Sequence, residues 1–268
     1  MVGGWSNNMG GAVRVAAIQH DIFWQDPIAT THRLAAMVGG AAAAGARLIV
    51  LPERFATGAS LDPATFEDEG GPASTFLREM AAEHHVWLCG TVALRLPDGA
   101  VVNECQIAGP DGTVHRSQKL HLGAGQESEM FRAGTRAHTF TIDDLRVTPL
   151  VGHDIRFPHA FWTSATDTDV FLVPGAEPEG RRRQWRTLLA ARAIENQCYV
   201  VGANRVGSGG GMRHAGDSSI IDPQGDVLAV GAGTETMLFA EIESALVRFT
   251  RDRSDLLAER AADVISLT

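Results

Sequence analysis

The run Arg47-Leu48-Ile49-Val50-Leu51 is apolar after its first residue, with no polar alternation. A strand with one wet face alternates polar and apolar side chains; an unbroken apolar run is what a strand needs when both faces are covered. Before it come a β-branched segment, Val13 to Gln19, and an Ala-rich stretch, Pro27 to Gly45. In that stretch Ile28, Leu34, Met37 and Val38 fall at helical spacings, and Gly45 closes it. Strand, helix and covered strand within about 40 residues predict an α/β sheet with helices laid on it.

The rest of the chain continues the pattern. Helices are expected over 74–84, 158–165 and 183–197, the last with Trp185, Leu188, Leu189, Ala193 and Ile194 on one side. Strands are expected at 87–96 and 101–107. The turns Pro97-Asp98-Gly99 and Gly109-Pro110-Asp111-Gly112 suggest antiparallel hairpins beside the main sheet. Residues 122–134 read as a polar loop. Two more hairpins are expected, 138–142 with 145–151 and 218–221 with 227–230. Strands follow at 170–173, 198–203 and 237–242, and a terminal helix or tail starts at 244. With no internal repeat and no linker-like stretch, one domain over 12–268 is expected, behind a flexible Gly- and Asn-rich extension, 1–11.

Composition narrows the partners. The 268 residues carry a formal charge of −9, which argues against nucleic acid or an anionic membrane as the main partner. The one basic cluster, Arg181-Arg182-Arg183, is short and reads as a solvated loop or helix start. Cys89, Cys105 and Cys198 form no CxxC pair, so neither a disulfide framework nor a zinc site is expected, and a reducing cytoplasm fits. No apolar run approaches the roughly 20 residues of a membrane span, and the start of the chain lacks the basic and apolar regions of a signal peptide. No metal and no cofactor are expected.

Three short stretches carry the chemistry. Leu150-Val151-Gly152-His153-Asp154-Ile155-Arg156-Phe157-Pro158 reads as a strand ending in a sharp turn before a helix, the kind of turn at which hydrolases expose a nucleophile. Leu48 to Glu53 is a strand ending in Pro-Glu. Gln118-Lys119-Leu120-His121-Leu122 places a lysine after a turn. Read locally, Glu53 is equally a helix-start carboxylate or an ion-pair partner, and Lys119 and His121 a solvated lysine and a structural histidine.

Taken with Arg192 to Gln197, Val201 to Gly207 and Gly216 to Gly225, these stretches resemble, in order and spacing, the nitrilase or carbon–nitrogen hydrolase superfamily, its bacterial ω-amidase-type members in particular. The resemblance covers about 13–250. It implies a single-domain four-layer α-β-β-α sandwich that pairs into a homodimer, with the segment after Ile242 helping to form the contact. It also implies a general base at Glu53, an oxyanion-stabilising Lys119, and a second carboxylate at Glu127, with Glu129 the rival if the loop carries a gap. His153, Arg156, Phe157 and Pro174 are the implied substrate-binding residues, Asp154 and Arg156 also bracing the turn. The side chain of His153 is expected to leave the turn in another direction.

The family's turn reads roughly Cys-Tyr-Asp-x-Arg-Phe-Pro; here Gly152 holds the Cys position and His153 the Tyr position. A glycine supplies no thiolate for an acyl-enzyme. The three cysteines, two within strands and one at a strand start, are read as small buried hydrophobes rather than as a relocated nucleophile. Three functions therefore stand open. The chain is an amidase-related protein for small ω-amides that is inactive or altered as written, a non-hydrolytic binder of a small amide or carboxylic acid, or an enzyme with altered Glu/Lys chemistry in the same pocket.

Overall fold

The computed structural model describes residues 11–260. The expected flexibility of 1–11 falls, apart from Gly11, outside the described residues, as does the end of the terminal segment, 261–268. The chain opens with β1 (Val13–Gln19), α1 (Pro27–Ala43), β2 (Leu48–Val50), α2 (Pro72–His84), β3 (Trp87–Arg95), β4 (Val101–Ala108) and β5 (Val114–Gln118). Helix α1 starts where sequence chemistry asks: Asp26 accepts from the Ala29 N–H and Pro27 occupies the first turn. The carboxylate of Glu67 does the same work for α2, accepting from Ala73 and Ser74 N–H.

After α3 (Gln126–Met130) come β6 (Phe140–Ile142), β7 (Leu145–Pro149), α4 (Pro158–Trp162), β8 (Val170–Gly175), α5 (Arg182–Asn196) and β9 (Tyr199–Asn204). A hairpin of β10 (Val206–Gly209) and β11 (Met212–Ala215) precedes β12 (Ser219–Ile221), β13 (Val227–Val230), β14 (Thr236–Ile242) and α6 (Ser244–Asp252). The strands make two six-stranded sheets, ordered β14-β1-β2-β3-β4-β5 and β13-β12-β9-β8-β7-β6. In each sheet three central strands run parallel and the outer ones antiparallel.

The layers follow from which residues meet. Val15, Leu48, Val50 and Cys105 from the first sheet pack against Val147, Leu172 and Val201 from the second. The other face of the first sheet is covered by Leu34, Val38 and Leu77 of α1 and α2. That of the second is covered by Phe161, Trp185 and Leu189 of α4 and α5. The fold is thus the four-layer α-β-β-α sandwich, with both faces of each sheet buried, as the unbroken apolar strands require.

Several local expectations change. The Pro-Asp-Gly turn joins strands of the main sheet itself, since β3 pairs parallel with β2 and antiparallel with β4. The hairpin β10–β11 was not expected, because its Ser-Gly-Gly-Gly tip reads as loop. The polar stretch 122–134 contains α3. Ile28 and Ile194 sit at helical spacings yet are 78% and 50% exposed, so periodicity placed them one position off the buried stripe. Among the described residues no helix is long and apolar enough to cross a membrane.

Candidate active site

The parallel strands β2, β7 and β8 all end at one edge of the sandwich, and the segments leaving them build a cleft, where open α/β sheets commonly place their sites. Glu53 leaves β2 through Pro52, and its backbone N–H donates to the Gly175 carbonyl at the end of β8, tying the two sheets together at the site. Lys119 follows β5, its N–H held by the Asn103 carbonyl of β4. Glu127 sits on α3.

Lys119 Nζ donates to Glu53 Oε1 at 2.9 Å and to Glu127 Oε1 at 2.6 Å. Asn103 Nδ2 donates to the same Glu53 Oε1 at 2.8 Å, and the Gly123 N–H donates to Glu127 Oε2 at 2.6 Å. Glu53 and Lys119 are 6% and 4% exposed, so this is a sequestered ion cluster rather than a surface pair. Burial alone would push the Lys119 ammonium down; the charges and hydrogen bonds of Glu53 and Glu127 outweigh it and hold the pKa above the ordinary lysine value. Glu129 is exposed, so it is Glu127 that meets the lysine.

Gly152 lies directly behind Glu53. Its φ is +42°, in the left-handed region, and a β-carbon built there would overlap Glu53 Oε2 and lie 3.1 Å from its Cδ. Glu53 takes both its hydrogen bonds on Oε1; among the described residues none reaches Oε2, the oxygen that faces Gly152. The arrangement can hold negative charge at Lys119 and can take up a proton at Oε2.

Asp154, fully buried, braces the turn through hydrogen bonds. Its Oδ2 accepts from Val151 N–H at 2.8 Å, and its Oδ1 accepts from His121 N–H at 2.7 Å and meets His121 Nδ1 at 2.9 Å. Arg156 makes its ion pair elsewhere, to Glu177 at 3.1 Å, and donates a hydrogen bond to Gln184 Oε1 at 2.7 Å.

The cleft holds a cavity of about 440 Å³. Its wall includes Glu53, Lys119, Glu127 and His153 from the expected set. His153 lines the cavity; burial, then Lys119 and Arg156, lower its pKa and favour the neutral ring. Arg156, Phe157 and Pro174 lie outside that wall. Phe157 stacks on the His121 ring, centroids 3.9 Å apart, and Pro174 is buried inside β8.

Sequence reasoning missed Arg54, Asn103, Glu177, Arg181 and Met212. Glu177 and Arg181 line the cavity from the loop after β8, and Met212 is brought by the unexpected hairpin. Arg54 follows Glu53 directly and could have been suspected from that adjacency alone. Among the described residues no group of three or more His, Cys, Asp or Glu could hold a metal ion.

Comparison with known proteins agrees with this architecture. The family model for carbon–nitrogen hydrolases matches residues 14–252. An ω-amidase, YafV of Escherichia coli K12, is 33% identical over 245 residues, covering 90% of this chain and 94% of its own. The 2-oxoglutaramate amidase of Bacillus subtilis is 38% identical over 213 residues, covering 76% and 82%. Among solved structures, the CN-hydrolase superfamily protein XC1258 of Xanthomonas campestris superposes with a TM-score of 0.89 at 30% identity, covering 94% of this chain and 98% of its own. The chain belongs to the carbon–nitrogen hydrolase family and is related to its ω-amidases.

Proposed function

We propose that the cavity receives a small ω-amide or its carboxylic acid, and that Gly152 stands at the family's nucleophile position, so that ordinary turnover through an acyl-enzyme is lost or altered. The observation that carries this reading is the Glu53–Lys119–Glu127 cluster, closed by hydrogen bonds of 2.6 and 2.9 Å, with Gly152 against the free oxygen of Glu53. In this reading Glu53 is the base, Lys119 stabilises an oxyanion, and Glu127 orients the lysine. His153 meets the substrate from the cavity wall, and Arg156 acts on it through Glu177.

A second reading has a specific observation in its favour. Glu53 Oε2 accepts no hydrogen bond among the described residues and faces the space beside a residue without a side chain. Such an oxygen can activate a water or move a proton on the ligand without a thiol. Ammonia release from small ω-amides separates the readings, measured on the protein as it stands, on Gly152→Cys, and on Gly152→Cys with Glu53→Gln. Activity that appears only with the thiol, and vanishes again with Glu53→Gln, supports the first. Turnover by the glycine form that Glu53→Gln abolishes supports the second. Tight binding of a small acid with no turnover in any form leaves a binding protein.

The same reading takes the chain as a homodimer of the cytoplasm. The large apolar side chain of Phe249 on α6, 54% exposed, supports a contact that includes the terminal segment. The three free, buried thiols suit a reducing compartment. Sedimentation at micromolar concentration tests the dimer.

A further inference from the structure

Two histidine rings meet outside the wall of the cavity. His121, in the segment after β5, and His159, on α4, bring their Nε2 atoms to 3.1 Å of each other. The ring planes cross at 80° with centroids 5.0 Å apart. His159 is exposed and the side chain of His121 is 21% exposed, so water and dissolved ions reach the pair.

The state of His121 is set from behind. Its Nδ1 lies 2.9 Å from Asp154 Oδ1, on a carboxylate that already accepts the N–H groups of Val151, Leu120 and His121. That network assigns the ring hydrogen to Nδ1 and leaves a lone pair on Nε2. Stacking on Phe157, centroids 3.9 Å apart, fixes the plane of the ring. A carboxylate behind an imidazole is the usual support of a histidine metal ligand, because it sets the tautomer and raises the basicity of the far nitrogen. Without an ion, His159 Nε2–H donates to His121 Nε2. Moving that one hydrogen to His159 Nδ1 presents two lone pairs, with no change in the number of protons bound. The separation fits as well: an ion about 2.0–2.1 Å from both nitrogens would see them roughly 100° apart, close to the tetrahedral and octahedral angles.

We propose that His121 and His159 form a binding site for one divalent transition-metal ion, with Asp154 orienting His121 and water filling the remaining positions. Imidazole nitrogens suit copper, nickel and zinc, whereas magnesium and calcium take oxygen ligands. Two protein ligands are fewer than the three of a catalytic zinc site or the four of a structural one, so the ion exchanges with solvent. It acts as a clamp and takes no part in the reaction. It ties α4, which follows the turn at Gly152, to the segment that carries Lys119, beside the link that Asp154 already makes. The site is independent of what the cavity binds.

The test is calorimetric titration of the intact, tag-free protein with Cu²⁺, Zn²⁺ and Mg²⁺. The expected result is one Cu²⁺ or one Zn²⁺ per chain, Cu²⁺ the tighter of the two, and no Mg²⁺ at the same concentrations. Zn²⁺ should also raise the Tm. His159→Ala should weaken Cu²⁺ and Zn²⁺ binding at least tenfold and abolish the rise in Tm. His84→Ala, at the sequence-adjacent pair His84 and His85, should leave both unchanged. Electron paramagnetic resonance of bound Cu²⁺ should show two imidazole nitrogens in the parent. No binding of Cu²⁺ or Zn²⁺, a loss of less than tenfold in a folded His159→Ala, or Mg²⁺ bound as tightly as Zn²⁺ overturns the site. Should His159→Ala fail to fold, the copper spectrum of the parent still decides, since one imidazole nitrogen or none overturns it.

Discussion

The carboxylate of Glu53 fills the space that a side chain at position 152 would occupy. With φ at +42°, Gly152 is also in a backbone conformation that other residues adopt at a cost of order 1–3 kcal/mol. Both Gly152→Ala and Gly152→Cys should therefore lower stability by about that amount or more. The part due to Glu53 is separable. In a double-mutant cycle with Glu53→Ala, the cost of Gly152→Ala should shrink, giving a coupling of roughly 0.5–3 kcal/mol by urea denaturation. Strict additivity would mean that Glu53 swings clear at no cost. For Gly152→Cys the same overlap means that any thiol chemistry it introduces requires Glu53 to withdraw from its present position.

Among the described residues, Lys119 is the only group that binds both Glu53 and Glu127. Lys119→Met removes a buried cation and leaves two neighbouring carboxylates facing each other, which by analogy with broken buried pairs costs about 3–5 kcal/mol. Glu127→Gln should cost less, because its side chain is 21% exposed and can be solvated. The sign of the pH dependence is set by the raised lysine pKa. The stabilisation is fully present below the ordinary value of 10.5 and is lost only as pH climbs through the higher folded-state value. The parent minus Lys119→Met stability difference, taken from denaturation curves, should thus be flat on the lysine's account from neutrality to about pH 10.

The fold was legible because its strongest signal, unbroken apolar strands between helices, is a local statement about being covered on both faces. The site was legible where a residue sits at a strand end, as Glu53, Lys119 and Gly152 do. It was not legible where a side chain arrives from elsewhere in the fold. Asn103 lies within β4 and reads as an ordinary strand residue; only the pairing of β2 with β3 and of β3 with β4 brings it to Glu53. Met212 depends on a hairpin whose glycine-rich tip gives no periodicity. Arg156 was read as a site residue from its motif, and its geometry redirects it to Glu177, so its reach into the cavity is indirect.

His20 contributes to the acid limb of the stability curve. The ring is buried with Nε2 unpartnered among the described residues, and burial, foremost, lowers its pKa from 6.5 to about 4. A histidine with a depressed folded-state pKa binds protons better when unfolded. Its neutral form therefore supports the fold above pH 6.5, and that support drains away as pH falls from 6.5 through about 4. The loss is of order 3 kcal/mol at one pKa unit per 1.36 kcal/mol. His20→Gln should flatten this part of the curve relative to the parent, and parallel curves for the two proteins between pH 6.5 and 4 would count against the assignment.

Asp154 links the turn at Gly152 to the segment that carries Lys119. Its two oxygens take the N–H groups of Val151, Leu120 and His121 and face His121 Nδ1, at 2.7 to 3.3 Å, from a fully buried position. Every one of these partners is fixed: backbone N–H groups cannot turn, and the His121 ring is stacked on Phe157. Asp154→Asn is therefore not conservative. Its amide places a donor against donors, and the charge that strengthens each bond is lost. Hydrogen bonds to charged groups contribute about 1.5–3 kcal/mol each, so Asp154→Asn should cost roughly as much as Asp154→Ala, several kcal/mol in either case. The local consequence is specific. Freed from Asp154, the His121 ring should show a changed Nδ1 shift by nitrogen-15 spectroscopy, and Lys119 should lose its register with Glu53. An Asp154→Asn protein within about 0.5 kcal/mol of the parent, the usual range of an inconsequential surface change, would show that the turn and the lysine segment are held together by packing instead.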